Sequence, residues 1–227
     1  MLYWFIRKIF MIFYYHVCRL QIEGREHLPT EGPVIVVSNH ISFWDPPLVA
    51  AISPRRKLSF MAKAELFSAP VLGAILPRIN VFPVKRGEPD RKAIRHSMRI
   101  LASGDILAMF PEGTRSKTGR LQKPEPGVAL LALKSQAPIL PVAVINSDKI
   151  LRQGSFFPRL TVRVGRPFRL DGYYDQKATR EVMEKAGVKI MSAIAALLQD
   201  NSDPAFNMPE EGCSVAETID NADAGCQ

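Results

Sequence analysis

Cysteine is scarce in this chain of 227 residues, and the three present make no framework. Cys18 stands alone near the start, and Cys213 and Cys226 fall within the last fifteen residues. A disulfide scaffold is therefore not expected, and a reducing compartment is the default. No metal-type spacing links the cysteines to the four histidines. Positive charge is missing from one end altogether. From Asp200 onward there is no Lys or Arg, against seven acids: Asp200, Asp203, Glu210, Glu211, Glu217, Asp220 and Asp223. Setting those seven aside leaves 30 basic and 15 acidic residues, or +15, on residues 1–199. A body that basic suits an anionic partner, either nucleic acid or an anionic membrane surface.

A long uninterrupted apolar run is also lacking. The stretch "MLYWFIRKIFMIFYYHVCRL" is apolar and aromatic, but Arg7 and Lys8 break it. It falls short of the roughly 18 apolar residues of a simple spanning helix. It also lacks the order of a secretory signal, in which a basic segment comes first and a small-residue cleavage site last. On a helix, Lys8, Tyr15 and Arg19 share a narrow stripe flanked by Arg7 and His16. Trp4, Phe5, Ile9, Ile12 and Phe13 lie mostly elsewhere. A broad aromatic face with a basic stripe suits a helix lying in the headgroup layer; a helix packed on its own domain is the plainer alternative. The membrane reading is favoured over nucleic acid, because the aromatics gather here rather than interleaving with basic residues on exposed strands.

The rest of the chain alternates short apolar strands with helices. Strands are expected at Val34–Val37, Leu58–Met61, in "INVFPVKRG", and at Ile106–Phe110, Ile139–Ile145 and Leu160–Val164. Helices are expected over 46–52, after Met61, over 90–103, near 127–135 and over about 177–198. In the segment 90–103, Ile94, Ser97, Met98 and Leu101 recur at helical spacing, with Arg91, Lys92, Arg95 and Arg99 on the other side. The alternation predicts an α/β fold with a largely parallel sheet covered on both faces. Residues 1–20 read as a membrane-associating amphipathic helix, 21–199 as the folded domain, and 200–227 as an acidic, disordered tail.

Familiar nucleophile and nucleotide motifs are absent as well: there is no G-x-S-x-G, no C-x-x-C and no G-x-x-x-x-G-K-[ST]. What stands in their place is "VSNHISFWDPP", in which four residues separate His40 from Asp45 just past a buried strand. Ligands in open α/β sheets gather at the carboxyl ends of strands. A carboxylate at one imidazole nitrogen fixes the tautomer and leaves the other nitrogen to take a proton. Asp45 before Pro46 is equally a good helix N-cap, and both roles can hold at once. A His–Asp pair without its own nucleophile points to a substrate hydroxyl. "FPEGTRSKTGR" follows another buried strand. There Gly113 permits close backbone approach, Thr114 and Ser116 offer donors, and Arg115 suits a phosphate bidentately. Glu112 can hold Arg115 or accept a hydroxyl proton. Lys63, Lys85 and Arg86 add charge after further strands, although any one such group is more often simply solvated.

Taken together, His40-x-x-x-x-Asp45, Arg86 in "FPVKRG", "FPEGTR" at 110–115 and "APILPVAV" at 137–144 resemble, in order, the four blocks of the glycerophospholipid acyltransferases, the 1-acylglycerol-3-phosphate acyltransferase family. The resemblance covers roughly residues 20–165. It implies a single acyltransferase domain that moves a fatty acyl group from acyl-CoA or acyl-acyl-carrier-protein to the free hydroxyl of 1-acylglycerol-3-phosphate, giving phosphatidic acid. It implies His40 as general base and Asp45 as its orienter. It places Arg86, Arg115 and Lys63 on the acceptor's phosphate, with Glu112, Gly113 and Thr114 shaping that site. "APILPVAV" would line the acyl or acceptor region, or is simply a core strand. No metal or bound cofactor is required, and nucleic acid is not expected as a partner. The implied location is the cytoplasmic face of a membrane, held peripherally or monotopically. The N-terminal segment departs from many relatives in being one short helix and not an extended hairpin. Two competing readings remain at this point: a different lyso-lipid acceptor, and a non-catalytic lipid- or RNA-binding module.

Overall fold

The computed structural model describes residues 1–87, 89–151 and 157–199; the acidic tail lies outside the described residues. One sheet of seven strands forms the centre: β1 (Gln21–Glu23), β2 (Val34–Ser38), β3 (Leu58–Lys63), β4 (Val81–Val84), β5 (Ile106–Met109), β6 (Ile139–Ile145) and β7 (Thr161–Val164). Their order across the sheet is β1-β7-β6-β2-β5-β3-β4. The five strands from β6 to β4 are mutually parallel. β7 runs antiparallel to β6, and β1 pairs parallel with β7. The α/β class and the largely parallel sheet are thus as expected.

The central strand shows why its sequence is a continuous apolar run. All five residues of β2 are buried. Val34 and Val36 join the core on one face, while Ile35 and Val37 join the core on the other. A strand covered on both sides has no solvent face to fill with polar residues. One face carries α2 (Asp45–Ala50) and the N-terminal helix; the other carries α4 (Arg91–Ala102), α5 (Pro126–Ser135) and α6 (Arg180–Gln199). In α4, Asp90 caps the first turn by accepting from the backbone of Lys92 and Ala93. Ala93, Ser97 and Leu101 face inward, and Gly104 (φ +76°) turns the chain out of the last turn.

Three elements differ from the sequence expectation. β1 has only three residues, at the sheet's edge and none of them buried, so it carries no hydrophobic pattern. The stretch after β3 is not one helix but a 3-10 turn (Ala64–Ser68), the short α3 (Pro70–Ile75) and another 3-10 turn (Leu76–Ile79). Pro70 and Pro77 each remove a backbone donor and restart the helix. No residue of that crossover is buried, although most are apolar. α6 begins at Arg180, about a turn later than expected, where the Thr179 hydroxyl accepts from the Val182 backbone N–H.

The N-terminal helix is two-sided. α1 (Leu2–Ile12) continues into a π-helical turn over Phe13–Val17. Tyr14 and Cys18 are wholly buried in the core, and Phe10 and Phe13 pack against Trp44. The Tyr14 hydroxyl donates to the Trp44 carbonyl at 3.1 Å, and the Tyr3 hydroxyl accepts from the Leu58 backbone N–H at 3.1 Å. Arg7 donates to the carbonyls of Ala50 and Ala51. The opposite side exposes Met1, Phe5, Ile9, Ile12 and Tyr15, with Lys8, His16 and Arg19 alongside. The helix therefore packs on its own domain and also leaves an apolar stripe open. Among the described residues, no helix is long and apolar enough to cross a membrane.

Candidate active site

The site is built where β2 stops. One residue past β2, the Asn39 side chain takes over the work of the ladder. Its amide donates to the Val144 carbonyl at 2.9 Å, and its carbonyl accepts from the Val144 N–H at 2.8 Å. The chain is thereby held to β6 while its backbone turns away, and His40 is the next residue. The backbone of His40 is held from the β5 side. Its N–H donates to Glu112 Oε1 at 3.1 Å, and its carbonyl accepts from the Ser116 N–H at 2.7 Å.

The side chain of His40 is clamped in turn. Its ring stacks on Phe110, with centroids 4.0 Å apart and planes 20° from parallel. Its Nδ1 lies 2.8 Å from Asp45 Oδ2. The same oxygen accepts from the backbone N–H groups of Ile41 and Ser42, both at 2.7 Å, and the Ser147 hydroxyl donates to Oδ1 at 2.5 Å. Every other partner of this carboxylate is a donor, and an ionised carboxylate only accepts, so the proton between the pair sits on Nδ1. The lone pair of the ring is then on Nε2. The His40 side chain is 12% exposed and Asp45 is fully buried, so the pair is dry on the Asp45 side and reachable on the other.

Asp45 does not act as the N-cap of α2. It is the first residue of that helix, and its side chain turns back into the preceding loop. Forward of it stand Pro46 and Pro47, which have no N–H to offer, and the Leu48 N–H donates to the Trp44 carbonyl at 3.2 Å. The cap role is thus unavailable, and the carboxylate is free for His40.

The β5–α5 loop brings the second group. Glu112 is 4% exposed and points at the His40 backbone, not outward. Burial raises its carboxyl pKa to about 7, against the opposing effect of the hydrogen bond from the His40 N–H. Gly113 adopts φ +66°, and a Cβ there would sit 2.7 Å from Glu125 Cγ, so both backbone shape and space call for glycine. Thr114 and Arg115 are exposed. The Arg115 guanidinium lies 3.4 Å from the ring centroid of Phe43, a residue 75% exposed.

Lys63 and Arg86 come to the same rim from further along it. Lys63 ends β3 and pairs with Glu65 at 3.1 Å. The Glu65 carboxyl is held below its ordinary value by a backbone hydrogen bond, then by Lys63, with the Arg86 charge adding to both. Arg86 follows β4 at the sheet edge. At about 4.8 Å per strand, β2 to β4 spans roughly 14 Å. All eight predicted residues thus lie at the carboxyl ends of β2, β5, β3 and β4, but only the first two strands bring theirs into direct contact. Asn39, Phe43, Phe110 and Ser147 were not singled out from the sequence as members of this site. Among the described residues, no group of three or more His, Cys, Asp or Glu could hold a metal ion.

The chain is similar to known proteins in sequence and in fold. The chain is 34% identical over 155 residues to the chloroplastic 1-acyl-sn-glycerol-3-phosphate acyltransferase LPAT1 of Arabidopsis thaliana, covering 66% of this chain and 43% of that protein. It is 28% identical over 124 residues to the 1-acyl-sn-glycerol-3-phosphate acyltransferase of Bacillus subtilis, covering 55% of this chain and 61% of that one. The chain thus spans about half the length of the curated relatives it matches. The crystal structure of the 1-acyl-sn-glycerophosphate (LPA) acyltransferase PlsC from Thermotoga maritima has the same fold, with a TM-score of 0.65 at 24% identity over 89% of this chain and 80% of that one. The family model described as Acyltransferase matches residues 19–145, from the end of the N-terminal helical segment through β6. That match takes in more than half of the sequence and the carboxyl ends of β2, β3, β4 and β5, and by it this chain belongs to the acyltransferase family.

Proposed function

We propose that this protein transfers a fatty acyl group from an acyl thioester to the free hydroxyl of 1-acylglycerol-3-phosphate, giving phosphatidic acid for phospholipid biosynthesis. The observation that carries the reading is the His40–Asp45 pair: Nδ1 is tied at 2.8 Å to a buried carboxylate, which leaves Nε2 with its lone pair at a reachable strand end. No protein nucleophile is needed. Nε2 takes the proton of the acceptor hydroxyl as that oxygen attacks the thioester carbonyl. The tetrahedral intermediate collapses, the C–S bond breaks, and the departing thiolate takes the proton back from the imidazolium. Asp45 stabilises the imidazolium that forms between the two steps. The names of the relatives support the acceptor; acyl-CoA or acyl-acyl-carrier-protein is the proposed donor.

The acceptor's phosphate would be bound by Arg115, Arg86 and Lys63. Arg115 brings a planar fork that suits two phosphate oxygens at once. Glu112 serves the site from behind, by fixing the His40 backbone, while Gly113 and Thr114 shape the loop in front. The substrate lives in a bilayer, so the exposed stripe Phe5, Ile9 and Ile12 with Lys8 and Arg19 is assigned to the membrane surface on the cytoplasmic side. The apolar crossover from Ala64 to Ile79, which buries none of its residues, supports the same assignment.

The deciding experiment is a lipid-product assay with the purified chain, a panel of lyso-lipid acceptors and both thioester donors. Phosphatidic acid formed fastest from 1-acylglycerol-3-phosphate is the expected result. Faster transfer to another lyso-lipid would change the acceptor and keep the mechanism. No transfer from either donor to any acceptor would overturn the function.

A further inference from the structure

The Asp45 carboxylate has two oxygens with unequal support. Oδ2 accepts three hydrogen bonds, from His40 Nδ1 and the backbone of Ile41 and Ser42. Oδ1 accepts from a residue 102 positions away, Ser147, whose Oγ lies at 2.5 Å. Both residues are fully buried, so water does not substitute for that hydroxyl. The chain makes a specific turn to deliver it. β6 ends at Ile145, and Asn146 takes φ +67°, a left-handed conformation that Asn tolerates better than most residues. The turn starts a 3-10 segment at Ser147 and swings its side chain back toward the end of β2, the strand beside β6. Asn39 clips the same two strands together one step earlier.

We infer that Ser147 is a positioning residue of the acyl transfer: it holds Asp45 Oδ1 so that Oδ2 stays in line with His40 Nδ1. This rests on the function proposed above and adds a third member to its base. The physical reason lies in the burial. Removing the hydroxyl leaves Oδ1 without that donor in a dry site, which disfavours the ionised carboxylate and frees it to rotate. Either change lowers the fraction of His40 with its proton on Nδ1. Ser147 touches neither substrate in this scheme, so its loss falls on turnover and not on acceptor binding.

The test is a double-mutant cycle on the full chain, with 1-acylglycerol-3-phosphate as acceptor and acyl-CoA as donor, or the acyl-carrier donor if the wild type prefers it. The variants are Ser147→Ala, Asp45→Asn and the two combined. Ser147→Ala should lower kcat on the order of tenfold, the scale of a lost hydrogen bond to a charged group, and leave the acceptor KM within about twofold. In the Asp45→Asn background the same change should alter kcat by less than about twofold, because the group it acts through is already neutral. An equal drop in both backgrounds would show that the hydroxyl works elsewhere and would overturn the inference. So would wild-type turnover in Ser147→Ala. Should Ser147→Ala not fold, Ser147→Cys, similar in size with a weaker donor, carries the same cycle. No transfer by the wild-type chain would instead overturn the function, and the role of Ser147 with it.

Discussion

The carboxyl ends of β2 and β5 differ sharply from those of β3 and β4, though all four strands are parallel neighbours. At the first pair, a fully buried carboxylate accepts four hydrogen bonds, and the imidazole it holds is stacked on Phe110. At the second pair, Lys63 meets an exposed Glu65, and the crossover beyond it buries nothing. One end is fixed before any substrate arrives; the other is open to solvent. Fixed dipoles and oriented bases cost no reorganisation during reaction. Exposed cations suit a ligand that comes and goes, and salt screens them. Arg115 stands between the two regimes, exposed like the cations but with its guanidinium 3.4 Å from the Phe43 ring centroid.

That contrast breaks first at His40. His40→Ala should cut turnover by at least about a hundredfold while the protein still folds, because the residue sits at a strand end. Asp45→Asn should be nearly as severe, since an amide can hold the wrong tautomer. Near-normal turnover in folded His40→Ala protein would mean that the rigid end is not the reacting end.

A smaller effect is expected at the cations. Arg115→Ala and Arg86→Ala should each raise the acceptor KM more than the donor KM, by on the order of tenfold, and more steeply at high salt. Arg115→Lys keeps the charge and loses the fork, so it should recover only part of the loss. Unchanged acceptor kinetics in both alanine variants would remove Arg115 and Arg86 from the phosphate site.

Smaller again is the change expected at the surface stripe. Replacing Phe5, Ile9 and Ile12 together by Ser should release the protein from anionic vesicles in co-sedimentation and lower activity on vesicle-borne acceptor. Activity on a short-chain, water-soluble acceptor should be nearly kept, because the inward face of α1 is untouched. Vesicle binding equal to the wild type would place the membrane contact elsewhere.

The mildest prediction concerns pH. Glu112 titrates at about 7 in the folded protein, well above an unfolded glutamate. Folding therefore favours its protonated form. That contribution is complete below the unfolded pKa and is lost as pH rises through 7. Glu112→Gln keeps an acceptor for the His40 N–H and removes the titration. Its melting temperature should gain on the wild type between pH 5 and pH 8, by a few degrees. A gap that stays constant across that range would mean that Glu112 is not held in a desolvating site.

Much of the site was legible because chemistry and chain order coincided. His40 and Asp45 lie in one loop, and "FPEGTR" lies in another, so local spacing exposed both. The parallel core was legible from runs such as Val34–Val37, whose lack of polar residues means two covered faces. Ser147 was not legible: it meets Asp45 across 102 residues, and a serine after a strand has no pattern of its own. Asn39 hides for a related reason, since its side chain does a backbone's task. The N-terminal helix was read by its outer face. A helical wheel separates charged from apolar residues but does not say which apolar side meets protein, and Phe10, Phe13 and Tyr14 turned out to meet Trp44.

The contact between Tyr14 and Trp44 bears on the order in which the domain can be finished. The partners of α1 all lie further along the chain: Trp44 lies 30 residues beyond Tyr14, Ala50 lies 43 beyond Arg7, and Leu58 lies 55 beyond Tyr3. Until β3 has been synthesised, the inward side of the helix is as bare as the outward one. During that interval the growing chain carries an aromatic segment with no core to receive it, the condition under which nascent chains aggregate or seek another apolar phase.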